Sequence, residues 1–209
     1  MKRIYYWPTL LGFICGVVAV ALGHWIGANT VEQWQLASRY TAQVSFPLFI
    51  VTFVASSLVR LFPSHATQAL MRQRRWWGLG FAACFFLHLA ALLVYNGLRD
   101  NLPPVGVFDR GVIAYAVLLA MVLTSTKAAQ QKLGRWWRLL HSVGMWGFFF
   151  IFVVAFYLDA LLKFELPAFE PFSEPYTLTG IVALALRIGA WLKIKALRKI
   201  DSGPYRAEC

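Results

Sequence analysis

Charged residues are scarce in this chain, and their scarcity excludes an ordinary soluble domain. Only 14% of the 209 residues are Asp, Glu, Lys or Arg, whereas 59% are hydrophobic and the mean hydropathy is +0.60. A soluble domain carries about 25% charged residues, which it needs to cover a wetted surface. We therefore expect an integral membrane protein.

The chain also lacks the motifs of familiar soluble enzymes. Its three cysteines, Cys15, Cys84 and Cys209, form no C-x-x-C pair and suggest no disulfide framework. The sequence has no glycine-rich phosphate loop, no H-E-x-x-H zinc motif and no nucleophile elbow. About fifteen residues follow the last apolar run, which is too short for a flavin or nicotinamide domain. We therefore expect any reductant to come from another chain or from a membrane quinol.

Long apolar runs are what the sequence has in abundance. A run of roughly 20 apolar residues is long enough to span a bilayer as a helix. Six such runs cover residues 8–27, 43–62, 76–95, 111–126, 139–157 and 176–194, and the fourth is the shortest. We predict an all-α membrane protein in which residues 1–209 form a single domain, a bundle of six transmembrane helices.

The charges behind the net charge of +11 alternate between the two sides of the predicted membrane spans, with basic residues concentrated on one side. The N-terminus, the segments after the second and fourth runs and the C-terminal tail hold 15 of the 20 Lys and Arg, with two acidic residues. The other connections hold seven acidic and four basic residues. Because basic connections stay in the cytoplasm, both termini are predicted to be cytoplasmic. Topology explains the positive charge, so we expect no nucleic-acid partner.

The first apolar run admits a second interpretation. Met1, Lys2 and Arg3 precede an apolar stretch that contains Ala19-Val20-Ala21, a pattern that also resembles a cleavable signal. We favour a retained helix because apolar residues continue to Ile26.

The connections between runs differ in character. Residues 63–73 and 127–138 are polar and basic, and we predict cytoplasmic linkers there, each with room for a short helix. Residues 96–110 and 163–175 contain several prolines. Since proline lacks a backbone donor and fixes φ, we predict irregular loops on the opposite side.

Histidines inside the apolar runs are the strongest indication of function, because an ionisable side chain in lipid is costly. His88 lies in the middle of the third run, more than ten residues from Arg75 and from Arg99, and His141 lies three residues after Arg138. Imidazole is a common ligand of haem iron. We interpret His88 and His141 as metal ligands of a b-type haem. The alternatives are a hydrogen-bonded core histidine at position 88 and an interfacial histidine at position 141.

The two histidines are predicted to lie at different depths. With a helical rise of about 1.5 Å per residue, His88 lies roughly 20 Å beyond the basic residues that precede its helix, and His141 roughly 5 Å beyond its own. Both helices run in the same direction, which disfavours one haem clamped between the two. Three alternatives stay open: two haems with weak or missing second ligands, one haem at His88 with His24 or another group, and a haem-free relative.

Other residues in the runs allow two interpretations each. His24, at the end of the first run, is a weaker ligand candidate or part of a helix contact. Arg187, in the sixth run, needs an anionic partner such as a haem propionate, or it snorkels toward the cytoplasm. Gly144 and Gly147 would let a flat macrocycle or another helix approach closely.

Three segments carry a resemblance to a known family. They are Gly27-Ala-Asn-Thr-Val-Glu32, the run from Arg74-Arg75-Trp-Trp-Gly-Leu79 to His88, and Trp137-Arg-Leu-Leu-His141. With these segments the chain resembles the ferric reductase-like transmembrane domain family. It is most similar to the small bacterial branch, which includes the haem-binding subunit of the periplasmic methionine sulfoxide reductase system. Helix number and orientation match over most of the chain.

The resemblance implies a multi-pass, lipid-embedded subunit of the bacterial inner membrane that transfers electrons through one or two b-type haems. In the wider family, two histidines on each of the third and fifth helices hold two stacked haems. Here Arg74 stands where an inner histidine is expected before His88, and Val154 stands where an outer one is expected after His141. Arginine at the first position is similar to the small bacterial branch, and valine at the second departs from it.

The resemblance also implies partners. Electrons would enter at the cytoplasmic face near Arg74, Arg138 and His141, from a flavin reductase or a quinol. They would leave near His88, toward a periplasmic oxidoreductase. The chain would then be at most the electron-transfer subunit of an oxidoreductase. The alternative is a haem-free structural or assembly subunit with the same fold.

Overall fold

Helices make up the regular structure in the part of the chain that the structure describes. The computed structural model describes residues 6–99, 105–153 and 173–201, and in these ranges it contains seven α-helices and no strand. In chain order they are α1 (Trp7–Ile26), α2 (Thr30–Leu61), α3 (His65–Leu98), α4 (Val105–Leu123), α5 (Lys127–Leu133), α6 (Arg135–Val153) and α7 (Ser173–Asp201).

Most of these helices are suited to a bilayer. Among the described residues, α1, α2, α3, α6 and α7 are long and apolar enough to cross a membrane. A sixth candidate is a pair of helical segments, Gly111–Leu123 of α4 and Lys127–Leu133 (α5), with a bend of 107° between them. The chain is therefore an all-helical, multi-pass membrane protein with five to six candidate spans, and α4 corresponds to the short fourth run.

Two helices extend well beyond the apolar runs that predicted them. α2 begins at Thr30, where Asn29 caps it by accepting a hydrogen bond from the Glu32 amide at 2.9 Å. α3 begins at His65 after a reciprocal cap, in which Ser64 Oγ accepts from the Thr67 amide and Thr67 Oγ1 accepts from the Ser64 amide. The prediction of a linker with room for a short helix over 63–73 is therefore wrong. The cap starts a helix at His65, and no Gly or Pro follows before Gly78.

The other connections are described in part. The linker at 127–138 contains the short helix α5, which ends at Gly134, the one described glycine with a positive φ (+51°). α3 continues to Leu98 and α4 starts at Val105, so helices take up much of the predicted loop 96–110. Residues 154–172, which include Val154 and most of the predicted loop 163–175, lie outside the described residues.

α1, α2 and α3 form a tightly packed unit because glycines bring their backbones together. A Cβ added at Gly12 would overlap the main chain of Gly80, and one added at Gly23 would overlap the main chain of Ala37. A Cβ at Gly80 would lie 2.5 Å from the Pro8 carbonyl oxygen. No side chain larger than hydrogen fits at these crossings without moving a helix.

α6 is held in a different way, through large side chains. Gly144 packs closely against Met121 of α4, so here the glycine serves helix packing, whereas Gly147 is exposed and has nothing near its Cβ position. Toward α2 and α3, α6 presents aromatic rings that belong to one buried cluster. Its phenylalanines are Phe46, Phe49 and Phe53 of α2, Phe81 and Phe85 of α3, and Phe148, Phe149 and Phe152 of α6.

Candidate functional site

His88 is held in one orientation by the main chain of α2. Its Nδ1 lies 2.7 Å from the carbonyl oxygen of Ser38 and 3.4 Å from Thr41 Oγ1, and its ring centroid is 5.2 Å from that of Phe85. A carbonyl oxygen only accepts, so Nδ1 carries the hydrogen and Nε2 keeps its lone pair. Within the described residues no hydrogen bond reaches Nε2. This is the tautomer that a metal-binding histidine adopts when a second group orients it.

The partner of His88 belongs to a polar stripe inside α2. Thr41, Ser45 and Thr52 are buried, and each donates its hydroxyl hydrogen to the carbonyl one turn earlier, at 2.7, 2.6 and 3.0 Å. Such bonds satisfy polar side chains within an apolar bundle. The sequence interpretation overlooked this stripe, whose signal is a hydroxyl residue at nearly every turn of the second run.

A tyrosine on another helix contacts the same phenylalanine as His88. The ring of Tyr115, on α4, stacks on Phe85 with centroids 5.1 Å apart, and the same Phe85 contacts the His88 ring. The Tyr115 Oη is buried and has no hydrogen-bond partner within the described part of the chain. We call the region around His88, Ser38 and Tyr115 the outer tier.

Arg74 lies at a different level of the bundle. Its Nε donates to the carbonyl oxygen of Thr52 at 3.0 Å, which joins α3 to α2. Arg74 precedes His88 by about four turns of the same helix, a separation of roughly 21 Å along the axis.

Arg187 points into the bundle and does not snorkel toward its end. Its Nη1 lies 3.3 Å from Ser56 Oγ and 3.4 Å from the Phe53 carbonyl oxygen. Its guanidinium carbon lies 4.3 Å from the ring centroid of Phe53 and 5.2 Å from that of Trp146, so aromatic faces stabilise the cation.

The two arginines share a positively charged environment. Arg74 interacts electrostatically with Arg60 and with Arg187. Glu32 is the only acidic residue whose side chain is described, and it accepts a hydrogen bond from the Ala28 amide at the start of α2. Within the described residues, therefore, no carboxylate neutralises this cluster, and an anionic group would fit beside it.

His141 belongs with the arginines. Its Nδ1 lies 3.1 Å from the Trp137 carbonyl oxygen, and its ring stacks on the Trp137 indole with centroids 4.2 Å apart. The charge of Arg74 acts on it electrostatically. We call Arg74, Arg187 and His141 the inner tier.

The structure separates the predicted ligands. His88 lies in the outer tier and His141 in the inner one, which agrees with their predicted difference in depth. His24 bonds through Nδ1 to the Val20 carbonyl at 3.0 Å and packs against Trp34, and no described contact joins it to His88. His65 is exposed at the start of α3. Among the described residues no three His, Cys, Asp or Glu side chains form a metal-ion cluster.

The chain is similar in sequence to a known family and to several named proteins. A family profile described as the ferric reductase like transmembrane component matches residues 40–153, which run from α2 to the end of α6. Three relatives carry the name protein-methionine-sulfoxide reductase heme-binding subunit MsrQ.

The relatives cover most of the chain. The Cronobacter sakazakii protein is 31% identical over 71% of this chain and 73% of its own length. The protein from Klebsiella pneumoniae strain 342 is 30% identical over 85% of this chain and 87% of its own. One from Klebsiella pneumoniae subsp. pneumoniae is 32% identical over 74% and 76%. No solved structure matches the chain.

Proposed function

The chain belongs to the ferric reductase-like transmembrane family, and we propose that it is a haem b subunit that carries electrons across a bacterial inner membrane. The observation that carries this proposal is the bond from His88 Nδ1 to the Ser38 carbonyl. It leaves Nε2, the usual iron-binding atom of such a tautomer, without a partner among the described residues. The name of the relatives, heme-binding subunit, agrees with it.

The residues present fit a haem in two respects. His88 and His141 each bond through Nδ1 to a carbonyl oxygen, at 2.7 and 3.1 Å, and these two rings would supply the ligands to the iron. Arg74 and Arg187 would hold the propionates, because they lack a carboxylate among the described residues and lie in the same tier as His141. His24 stays a weaker ligand candidate, since its ring packs on Trp34.

The proposal includes a direction of electron transfer, from the inner tier to the outer tier. Bound haem iron supplies one-electron chemistry by alternating between its ferric and ferrous states. The positive charges of the inner tier favour added negative charge, and the phenylalanine cluster excludes water between the tiers. With both termini and the inner tier at the cytoplasmic side, electrons enter near Arg74 and His141. They leave at the outer face near His88.

The proposed function includes a partner on each side of the membrane. We propose a cytoplasmic flavin reductase or a membrane quinol as the donor. The acceptor is a periplasmic oxidoreductase, for which the relatives named as subunits of a methionine sulfoxide reductase provide the precedent.

Haem content of the purified protein tests the proposal. The chain, made in haem-replete cells, is expected to show a b-type absorption spectrum. Haem per protein should fall in His88→Ala and His141→Ala and stay unchanged in His65→Ala, the control at an exposed histidine outside both tiers. A colourless wild-type protein, with unchanged stability and partner recovery in the double variant of His88 and His141, would favour the haem-free assembly subunit.

A further inference from the structure

The outer tier offers one imidazole and no second strong ligand among the described residues. The sequence contains four histidines. His141 lies in the inner tier, His24 packs on Trp34, and His65 is exposed at the far end of α3. His88 is therefore the only histidine of the outer tier.

Three of the described sulfur side chains do not supply a substitute. Met121 lies against Gly144, three residues after His141, and Met71 is exposed near the start of α3, several turns before His88. Cys84 is one turn before His88 on the same helix, with its Sγ 3.6 Å from the Thr41 carbonyl oxygen. A group on the same side of α3 as His88 cannot reach the opposite face of a ring that His88 binds.

Tyr115 supplies the second, independent observation. Its hydroxyl is buried in the outer tier with no partner among the described residues, a condition that native structures rarely tolerate without a water, ion or ligand. Tyr115 and His88 border the same ring, because Phe85 contacts both of them.

From these observations we infer that His88 is the one ligand that the described residues give the outer iron, whose sixth position is open to a small diatomic molecule that accepts a hydrogen bond from Tyr115. The inference rests on the proposed haem and adds the coordination state and ligand class of the outer site. Carbon monoxide, which binds ferrous haem iron that has a free position, is the appropriate probe. No electron or proton is transferred when it binds.

The experiment uses the full chain, purified with its haem and reduced with dithionite, and adds carbon monoxide under anaerobic conditions. The wild type is expected to bind carbon monoxide at the outer iron, and this share of the adduct should persist in His141→Ala and be lost in His88→Ala. The oxidised protein should show a high-spin electron paramagnetic resonance signal that weakens in His88→Ala. Tyr115→Phe keeps the apolar packing and tests the site without removing the ligand. Loss of its hydrogen bond should move the C–O stretch to higher frequency and raise the carbon monoxide dissociation constant several-fold.

The outcomes separate this inference from the proposed function. Fully low-spin haem that does not bind carbon monoxide would contradict the open coordination position, but it would be compatible with the proposed haem subunit. An adduct lost in His141→Ala but kept in His88→Ala would overturn it too, because the open site would then be in the inner tier. A C–O stretch unchanged by Tyr115→Phe would exclude the hydrogen bond. Absence of haem from the wild type would overturn the proposed function itself.

Discussion

Arg74 donates from its Nε to the carbonyl oxygen of Thr52, at 3.0 Å, and so joins α3 to α2 at the level of the inner tier. The same side chain stands where the family pattern has a histidine. Its charge lies in a cluster with Arg60 and Arg187 that no described carboxylate neutralises. Under the proposed function, arginine here would supply a cation to the propionates where the resemblance implies a metal ligand.

Replacing this cation should weaken haem binding. A hydrogen bond that involves a charged group contributes about 1.5–3 kcal/mol, which corresponds to roughly 10- to 100-fold in affinity. Arg74→Leu is therefore expected to lower the haem-to-protein ratio and to raise the haem dissociation constant, measured by transfer of haem to apomyoglobin. Arg75→Leu is the matched control, since Arg75 is exposed. An equal loss in both variants would show that general positive charge, and not this contact, holds the haem.

The charge of Arg187 should raise the potential of the inner haem. Reduction adds an electron, so a nearby cation stabilises the ferrous state and its removal lowers the midpoint potential. Arg187→Leu is expected to lower that potential by about 60 mV, equivalent to about 1.4 kcal/mol for one electron. Spectroelectrochemical titration measures the change. Lys195→Leu, which removes an exposed cation from the same helix, should shift the potential by much less. Equal shifts in the two variants would contradict a local effect of Arg187.

The sequence predicted the membrane spans better than the helices. Apolar runs mark where a chain crosses lipid, and all six runs correspond at least in part to described helices. They do not mark where a helix ends in water. α2 therefore begins at Thr30, well before the second run, and α3 includes the polar segment 65–75, because Asn29 and Ser64 cap them outside the apolar runs.

The sequence predicted the depth of the candidate site residues along their helices, but not which way each helix faces. Helical rise alone placed His88 and His141 at different depths, and the structure agrees. The partners Ser38, Thr52 and Tyr115 depend on how each helix is rotated about its axis and on which helices are neighbours. A single sequence carries little information on either, although the hydroxyl stripe of α2 marked the face that meets α3.

The glycine crossing between α1 and α3 should be intolerant of even one methyl group. Gly12→Ala would bring its Cβ into the main chain of Gly80, and backbone cannot give way as a flexible side chain does. Overpacking costs about 1–3 kcal/mol, so the melting temperature in detergent should fall. Gly97→Ala is the control, because nothing lies near its Cβ position. That change should be neutral or stabilising by up to about 1 kcal/mol. Equal melting temperatures for the two variants would contradict the close crossing.

Introducing an imidazole at position 154 should close the open position of the outer iron. Val154 lies outside the described residues. It follows His141 in the sequence at the place where the family pattern has the outer histidine. Val154→His is expected to convert the high-spin haem to a six-coordinate, low-spin form and to abolish the carbon monoxide reaction of the His88 site.

The matched control is Val153→His, which adds the same side chain at the last described residue of α6 and should leave the carbon monoxide reaction in place. Absorption and electron paramagnetic resonance spectra of both variants, at wild-type haem content, provide the comparison. If the Val154→His protein still binds carbon monoxide at its His88 site, position 154 does not reach that iron. The second outer ligand of the family would then have to be aligned with another residue of this chain.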